Sequence, residues 1–204
     1  MFCEGIKPFR EECPSCVEIE KKYRLNGDDR LNYQISKRTA YYLKAIVSSY
    51  IYSGDAADLV VRYKFRQHYT LARDMAKIMA SDIIELLGKD CCDAVMPVPA
   101  YRKGVNQHSA LIARRISKVL STPYLSKTLV KIRETAPQHE LSGTQRSKNL
   151  GGAFYITGRG TVKNKRILLC DDVITSGNTL NECANVLLGA GAYEVLSAVF
   201  SATP

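Results

Sequence analysis

The apolar positions of this chain alternate between strand-like runs and helix-like spacings. Near the carboxyl end, Ile167, Leu168, Leu169 and Cys170 form an unbroken apolar stretch, the pattern of a parallel strand buried on both faces. The pattern switches abruptly to Asp171 and Asp172, and the strand is expected to end there. Val173 and Ile174 lead into Thr175, Ser176, Gly177, Asn178 and Thr179, all small or hydrogen-bonding, before the helical spacing Leu180, Ala184, Leu187, Leu188 begins. Upstream, Ile46 to Tyr52 and Asp93 to Val98 read as two further strands, and Ser53, Gly54 and Asp55 suit a turn and cap. Helical periodicity covers Ala56 to Phe65 and Gln107 to Leu120. It is clearest from Thr70 to Leu87, where Ala72, Met75, Ala76, Met79, Ile83, Leu86 and Leu87 share one face.

The strand, the loop of small residues and the helix start together suit a phosphate. The first turn of a helix presents backbone N–H groups at the positive end of its dipole, and small residues let an anion come close. Thr175, Ser176 and Thr179 add hydroxyl donors. Asp171 and Asp172 would repel a phosphate laid on them, so they should face a neutral polyol or a ligand that brings its own cation. A sugar phosphate meets both demands. Two other segments belong with it. Val98, Pro99, Ala100, Tyr101, Arg102, Lys103 and Gly104 form a stiff loop at the carboxyl end of a strand, where open α/β sheets bind ligands. Arg133 to Leu150 is too polar for core and too long for a tight turn, and reads as a lid.

Composition narrows the setting. The 204 residues, 46% hydrophobic, suit one α/β domain with a small appendage: residues 1–37 as a cysteine-containing segment and linker, 38–204 as the main domain. Within the first part, Leu25 to Lys37 is polar and reads as a linker or irregular hairpin. No apolar run approaches the ~18 residues of a membrane span and no signal peptide is legible, which points to the cytoplasm. The net charge of +9 is uneven: Lys127 to Arg166 carries nine Lys or Arg against two acids, which would draw in an anionic partner or merely form a solvated loop. Tyr50, Tyr52, Tyr63 and Tyr69, mixed with Arg62, Lys64 and Arg66, suit either base stacking on a single strand or core plus rim. The seven cysteines read as thiols or metal ligands rather than a disulfide framework. Cys3, Cys13 and Cys16 supply three-quarters of a zinc knuckle; His108, another chain or residues upstream of Met1 would have to complete it. Cys91 and Cys92 read as packing residues.

The apolar strand followed by Asp-Asp-Val-Ile-Thr-Ser-Gly-Asn-Thr closely resembles the signature of type I phosphoribosyltransferases, which bind phosphoribosyl pyrophosphate (PRPP). The resemblance implies an open, mostly parallel sheet flanked by helices. It assigns the ribose hydroxyls to Asp171 and Asp172 as the residues at the reacting sugar, and the 5′-phosphate to the loop of Val173, Thr175, Ser176, Gly177, Asn178 and Thr179. By the same resemblance Val98 to Lys103 meet the pyrophosphate, and Arg133, Gln138, Arg146, Lys148 and Asn149 belong to a flexible lid. The ordered set of a cysteine knuckle, P-V-P-x-x-x-x-G-x-N-Q, R-x-T-x-P-Q and R-x-x-N-L-x-G-A-F is similar to the ComF/ComFC competence family, and more distantly to glutamine-dependent amidophosphoribosyltransferases. Lys103 stands where that family usually has arginine, and the first cysteine pair is incomplete. The resemblance implies Mg²⁺ with PRPP, a structural Zn²⁺, and a role in DNA uptake, with single-stranded DNA and competence proteins as partners. It leaves two readings: a phosphoribosyltransferase with an acceptor that the sequence does not name, or a non-catalytic PRPP-responsive or single-stranded-DNA-binding factor. The oligomeric state is not legible.

Overall fold

The computed structural model describes residues 14–38, 40–65, 69–101, 108–134 and 151–204. Four parallel strands form the main sheet in the order β1 (Ala45–Ile51), β6 (Glu194–Ala202), β5 (Arg166–Ile174), β2 (Ala94–Pro97). All three pairings are parallel. A parallel sheet must be covered on both faces, and the alternation along β5 shows how. Leu168 and Cys170 enter one core with helices α2 (Gly54–Phe65), α3 (Leu71–Leu87) and α4 (His108–Leu120). Ile167 and Leu169 enter the other, with helix α5 (Asn178–Gly189) and an antiparallel hairpin of β3 (Leu129–Lys131) and β4 (Phe154–Ile156).

Helix α3 follows its predicted face: Ala72, Met75, Ala76, Met79 and Ile83 are buried, with Leu86 and Leu87 partly so. Each large side chain there contributes about 1.5–3 kcal/mol by leaving water. The helix stops at Gly88, whose φ of +86° lies in a region costly for other residues and whose N–H closes the last turn on the Ile84 carbonyl.

Two sequence expectations are corrected, and one open choice is decided. The first concerns β5, which does not end at the acids but runs through them to Ile174. Its neighbour β6 keeps pairing alongside, Asp171 opposite Val199 and Ile174 opposite Ala202, so the backbone stays extended despite the charge. Strand β2 stops at Pro97, opposite Cys170, and the two acids therefore project past its end. The second concerns Leu25 to Lys37, which is fastened along β1. The Leu25 N–H donates to the Ser49 carbonyl at 3.1 Å, the Asn32 N–H to the Ile46 carbonyl at 2.7 Å, and the Ile46 N–H to Asn32 Oδ1 at 2.9 Å. This covers an otherwise open sheet edge. Of the two readings of the tyrosines, core plus rim holds for Tyr50 and Tyr63, both fully buried, so neither offers a face for base stacking. The Tyr63 hydroxyl donates to the His108 carbonyl at 2.7 Å, and Tyr50 packs on Phe200 with its hydroxyl on Glu20.

Behind the fastened segment lies an ionic cluster that composition concealed. Asp82, fully buried on α3, accepts hydrogen bonds from Arg24 Nη1 at 2.8 Å, Arg30 Nη1 at 2.7 Å and Ser49 Oγ at 2.6 Å. Arg30, itself buried, also reaches Glu85.

Candidate functional site

Chain leaving β2 goes to α4 on one face of the sheet, whereas chain leaving β5 goes to α5 on the other. Where two neighbouring parallel strands part in this way, a crevice opens at their carboxyl ends, and ligands of open α/β sheets bind there. Asp171 and Asp172 sit at that place. The candidate pyrophosphate loop starts beside them, with the Val98 N–H donating to the Cys170 carbonyl at 3.0 Å. Val98 and Pro99 are half-buried, and Ala100 and Tyr101 are exposed; Arg102 and Lys103 lie outside the described residues.

From the acids the chain passes half-buried Val173 and exposed Thr175 to Gly177, whose φ of +80° favours glycine. Asn178 opens α5, its amide donating to Ser176 Oγ at 3.1 Å, and no acidic residue lies in the helix's first turn. The loop hydroxyls, Thr179 included, and the start of the helix therefore occupy one short segment next to the acid pair. Of the lid residues, Arg133 donates to the Gly151 carbonyl at 2.9 Å at the base of the β3–β4 hairpin. Gln138, Arg146, Lys148 and Asn149 lie outside the described residues, as do Cys3, Cys13 and the side chain of Cys16. Among the described residues no three His, Cys, Asp or Glu side chains converge for a metal, and no helix is long and apolar enough to cross a membrane. Cys91, Cys92, Cys170 and Cys183 are buried free thiols.

The electrostatics of the acid pair involve residues outside the segments that the sequence assigns to the site. Asp171 Oδ1 accepts hydrogen bonds from Ser109 Oγ at 2.6 Å and from the Asp172 N–H at 2.9 Å. Asp172, almost fully buried, pairs through Oδ1 with Lys64 Nζ at 2.7 Å. Desolvation and then the neighbouring Asp172 charge push Asp171 up to about 7, against the pull of Lys64. Burial alone would lower Lys64, but the two carboxylates outweigh it and hold its pKa above the usual value. His108, considered as a zinc ligand, is buried instead at the start of α4, edge-on to Tyr63 with ring centroids 4.8 Å apart, and burial lowers its pKa. A pair of desolvated acids in need of a cation was the one available signal for Lys64, but no spacing rule pointed to a residue so far away in the chain.

Because Asp171 has a raised pKa in the fold, its favourable contribution to stability is present in acid and is lost as pH rises from the ordinary carboxylate range through about 7. Asp171→Asn keeps an acceptor oxygen but does not titrate. Its stability relative to wild type is expected to rise between about pH 5 and about pH 8, by on the order of 1 kcal/mol or more. Denaturant unfolding at the two pH values checks this; a difference independent of pH contradicts it.

Comparison with known proteins fits the geometry. Residues 104–204 match the phosphoribosyl transferase domain family. Competence protein F of Haemophilus influenzae is 31% identical over 146 residues, which are 67% of this chain and 63% of that protein. DNA utilization protein YhgH of Salmonella typhimurium is 30% identical over 158 residues, 74% of this chain and 68% of that protein. Competence protein ComFC of Streptococcus pneumoniae is 28% identical over 193 residues, 91% of this chain and 78% of that protein. The chain thus spans somewhat under two thirds of the length of the first of these relatives. With the parallel sheet and the acid pair at its crevice, these matches make the chain a member of the ComF family, built on the type I phosphoribosyltransferase fold.

Proposed function

We propose that this protein binds PRPP together with Mg²⁺ and transfers its phosphoribosyl group to an acceptor still to be found, in the cytoplasm and in the service of DNA uptake or utilization. One observation carries the reading. Two carboxylates stand on a buried parallel strand just past the point where its neighbour β2 stops, and are followed within a few residues by a hydroxyl-lined loop and a helix start. Asp171 and Asp172 accept hydrogen bonds from the ribose hydroxyls, while the Thr175–Thr179 segment and the N-terminus of α5 hold the 5′-phosphate. The Val98–Lys103 loop meets the pyrophosphate. The lid that includes Arg133, Gln138, Arg146, Lys148 and Asn149 excludes water from an electron-poor sugar centre. Carboxylate and hydroxyl oxygens suit a hard cation brought in by the ligand, and Mg²⁺ supplies charge neutralisation at the departing pyrophosphate. The names of the relatives, competence and DNA utilization, support the setting. The buried free thiols suit a reducing compartment.

Calorimetry of the wild-type chain with PRPP and Mg²⁺ tests the reading, and heat of binding that disappears without Mg²⁺ is expected. No binding in either condition removes it. Pyrophosphate release with bases, amines or single-stranded DNA as acceptors then identifies the reaction. Salt-sensitive binding of single-stranded DNA with no release makes the protein a binder rather than a transferase. Cys3, Cys13 and Cys16 are proposed zinc ligands; a metal-free protein with freely alkylated cysteines removes the zinc.

A further inference from the structure

The two carboxylates of the acid pair are each anchored through one oxygen. Ser109 Oγ and the Asp172 N–H take Asp171 Oδ1, and Lys64 Nζ takes Asp172 Oδ1. Among the described residues neither Oδ2 has a protein partner. Lys64 stands one residue from the end of α2, with its side chain 32% exposed against 5% for Asp172, so the pair is no loose surface contact. Among the described residues, the other titratable groups around these three charges are Tyr52 after β1, Tyr63 on α2, His108 on α4, Cys170 on β5 and Cys183 on α5. None of them supplies a positive charge, and Arg115 and Lys131 act on Tyr63 and Cys183 rather than on Asp171. His108 is the closest competitor, but both its ring nitrogens are buried without a partner among the described residues, and burial lowers its pKa. Among the described residues Lys64 is thus the counter-charge paired with the acids.

We propose that Lys64 is a positioning residue of this site: its ammonium fixes Asp172 through Oδ1 and balances the charge of the acid pair, leaving the two Oδ2 atoms as acceptors for the vicinal diol of a sugar phosphate. The proposal rests on the sugar-phosphate reading of the acid pair. Two adjacent desolvated carboxylates without Lys64 repel each other and take up a proton near neutral pH, and a protonated acid is a poor acceptor for a diol.

The test uses the full chain, ribose 5-phosphate and calorimetry from about pH 6 to about pH 9, with Lys64→Met and Lys64→Arg beside the wild type. Lys64→Met is expected to weaken binding about tenfold near neutral pH and to move the pH midpoint of binding up by about one unit, and Lys64→Arg to restore much of both. A purely structural ion pair would lower the melting temperature and leave the midpoint in place. Unchanged affinity and midpoint in Lys64→Met, or tighter binding, overturns the proposal alone. A wild-type protein that binds no ribose 5-phosphate overturns the sugar-phosphate reading and the proposal with it. Should the Met variant fail to fold, Lys64→Gln, which keeps a donor without the charge, replaces it with the same expected outcomes.

Discussion

Replacing Asp82 with alanine is expected to destabilise the protein by about 3–5 kcal/mol, because it leaves two largely buried guanidinium groups without their shared, fully buried anion. Asp82 is fully buried and ties Arg24, Arg30 and Ser49 to one carboxylate, and through them the segment from Arg24 to Asn32 to the edge of β1. Arg30 keeps Glu85, but that carboxylate is largely exposed and holds it weakly. The loss should therefore be felt first at the fastened segment. Urea unfolding measures the global cost, and hydrogen exchange at the Leu25 and Asn32 amides, which donate to β1 carbonyls, measures the local one. A cost below about 1 kcal/mol would mean that the arginines find water once Asp82 is gone. Changing Asp82 to leucine together with Arg24→Met and Arg30→Met should recover most of the loss, since a buried ion cluster replaced as a whole is often neutral.

The same cluster shows what a sequence conceals. Local pattern made α3, the apolar run of β5 and the loop into α5 legible, since each depends on residues within a few positions of one another. The candidate sugar-phosphate segment was legible for that reason: Asp171 to Thr179 are contiguous, and their chemistry is set by their order. What failed was everything decided by a distant neighbour. Polar Leu25–Lys37 resembled a linker because the partners of Arg30 lie on α3. The strand was expected to stop at Asp171 because charge ends most buried runs, yet pairing with β6 carries it three residues further. The spacing of Tyr50 and Tyr63 fitted stacking or core alike, and only their distant partners, Glu20 and the His108 carbonyl, decide for the core. Lys64 belonged to an apparent basic rim, and only the fold brings it to Asp172.

The double substitution Asp171→Ala/Asp172→Ala separates the ribose contacts from the phosphate contacts. Hydrogen bonds to a charged acceptor contribute about 1.5–3 kcal/mol each, so losing one at each acid should weaken PRPP binding by about 3–6 kcal/mol. At about 1.4 kcal/mol per factor of ten this is a roughly 100- to 20,000-fold loss, which calorimetric competition resolves. Inorganic pyrophosphate has no diol to lose. It should bind the double variant at least as well as the wild type, because two repelling carboxylates are gone and Lys64 is released from Asp172 to attract an anion. Opposite responses to the two ligands are the signature of acids that read the sugar rather than hold up the fold. A parallel loss of both would instead mark a damaged crevice, and undiminished PRPP binding would remove Asp171 and Asp172 from the sugar altogether. Since the acid pair is desolvated and self-repelling, its removal should not lower the melting temperature as Asp82→Ala does. Weaker binding without weaker folding is the outcome that a functional pair requires.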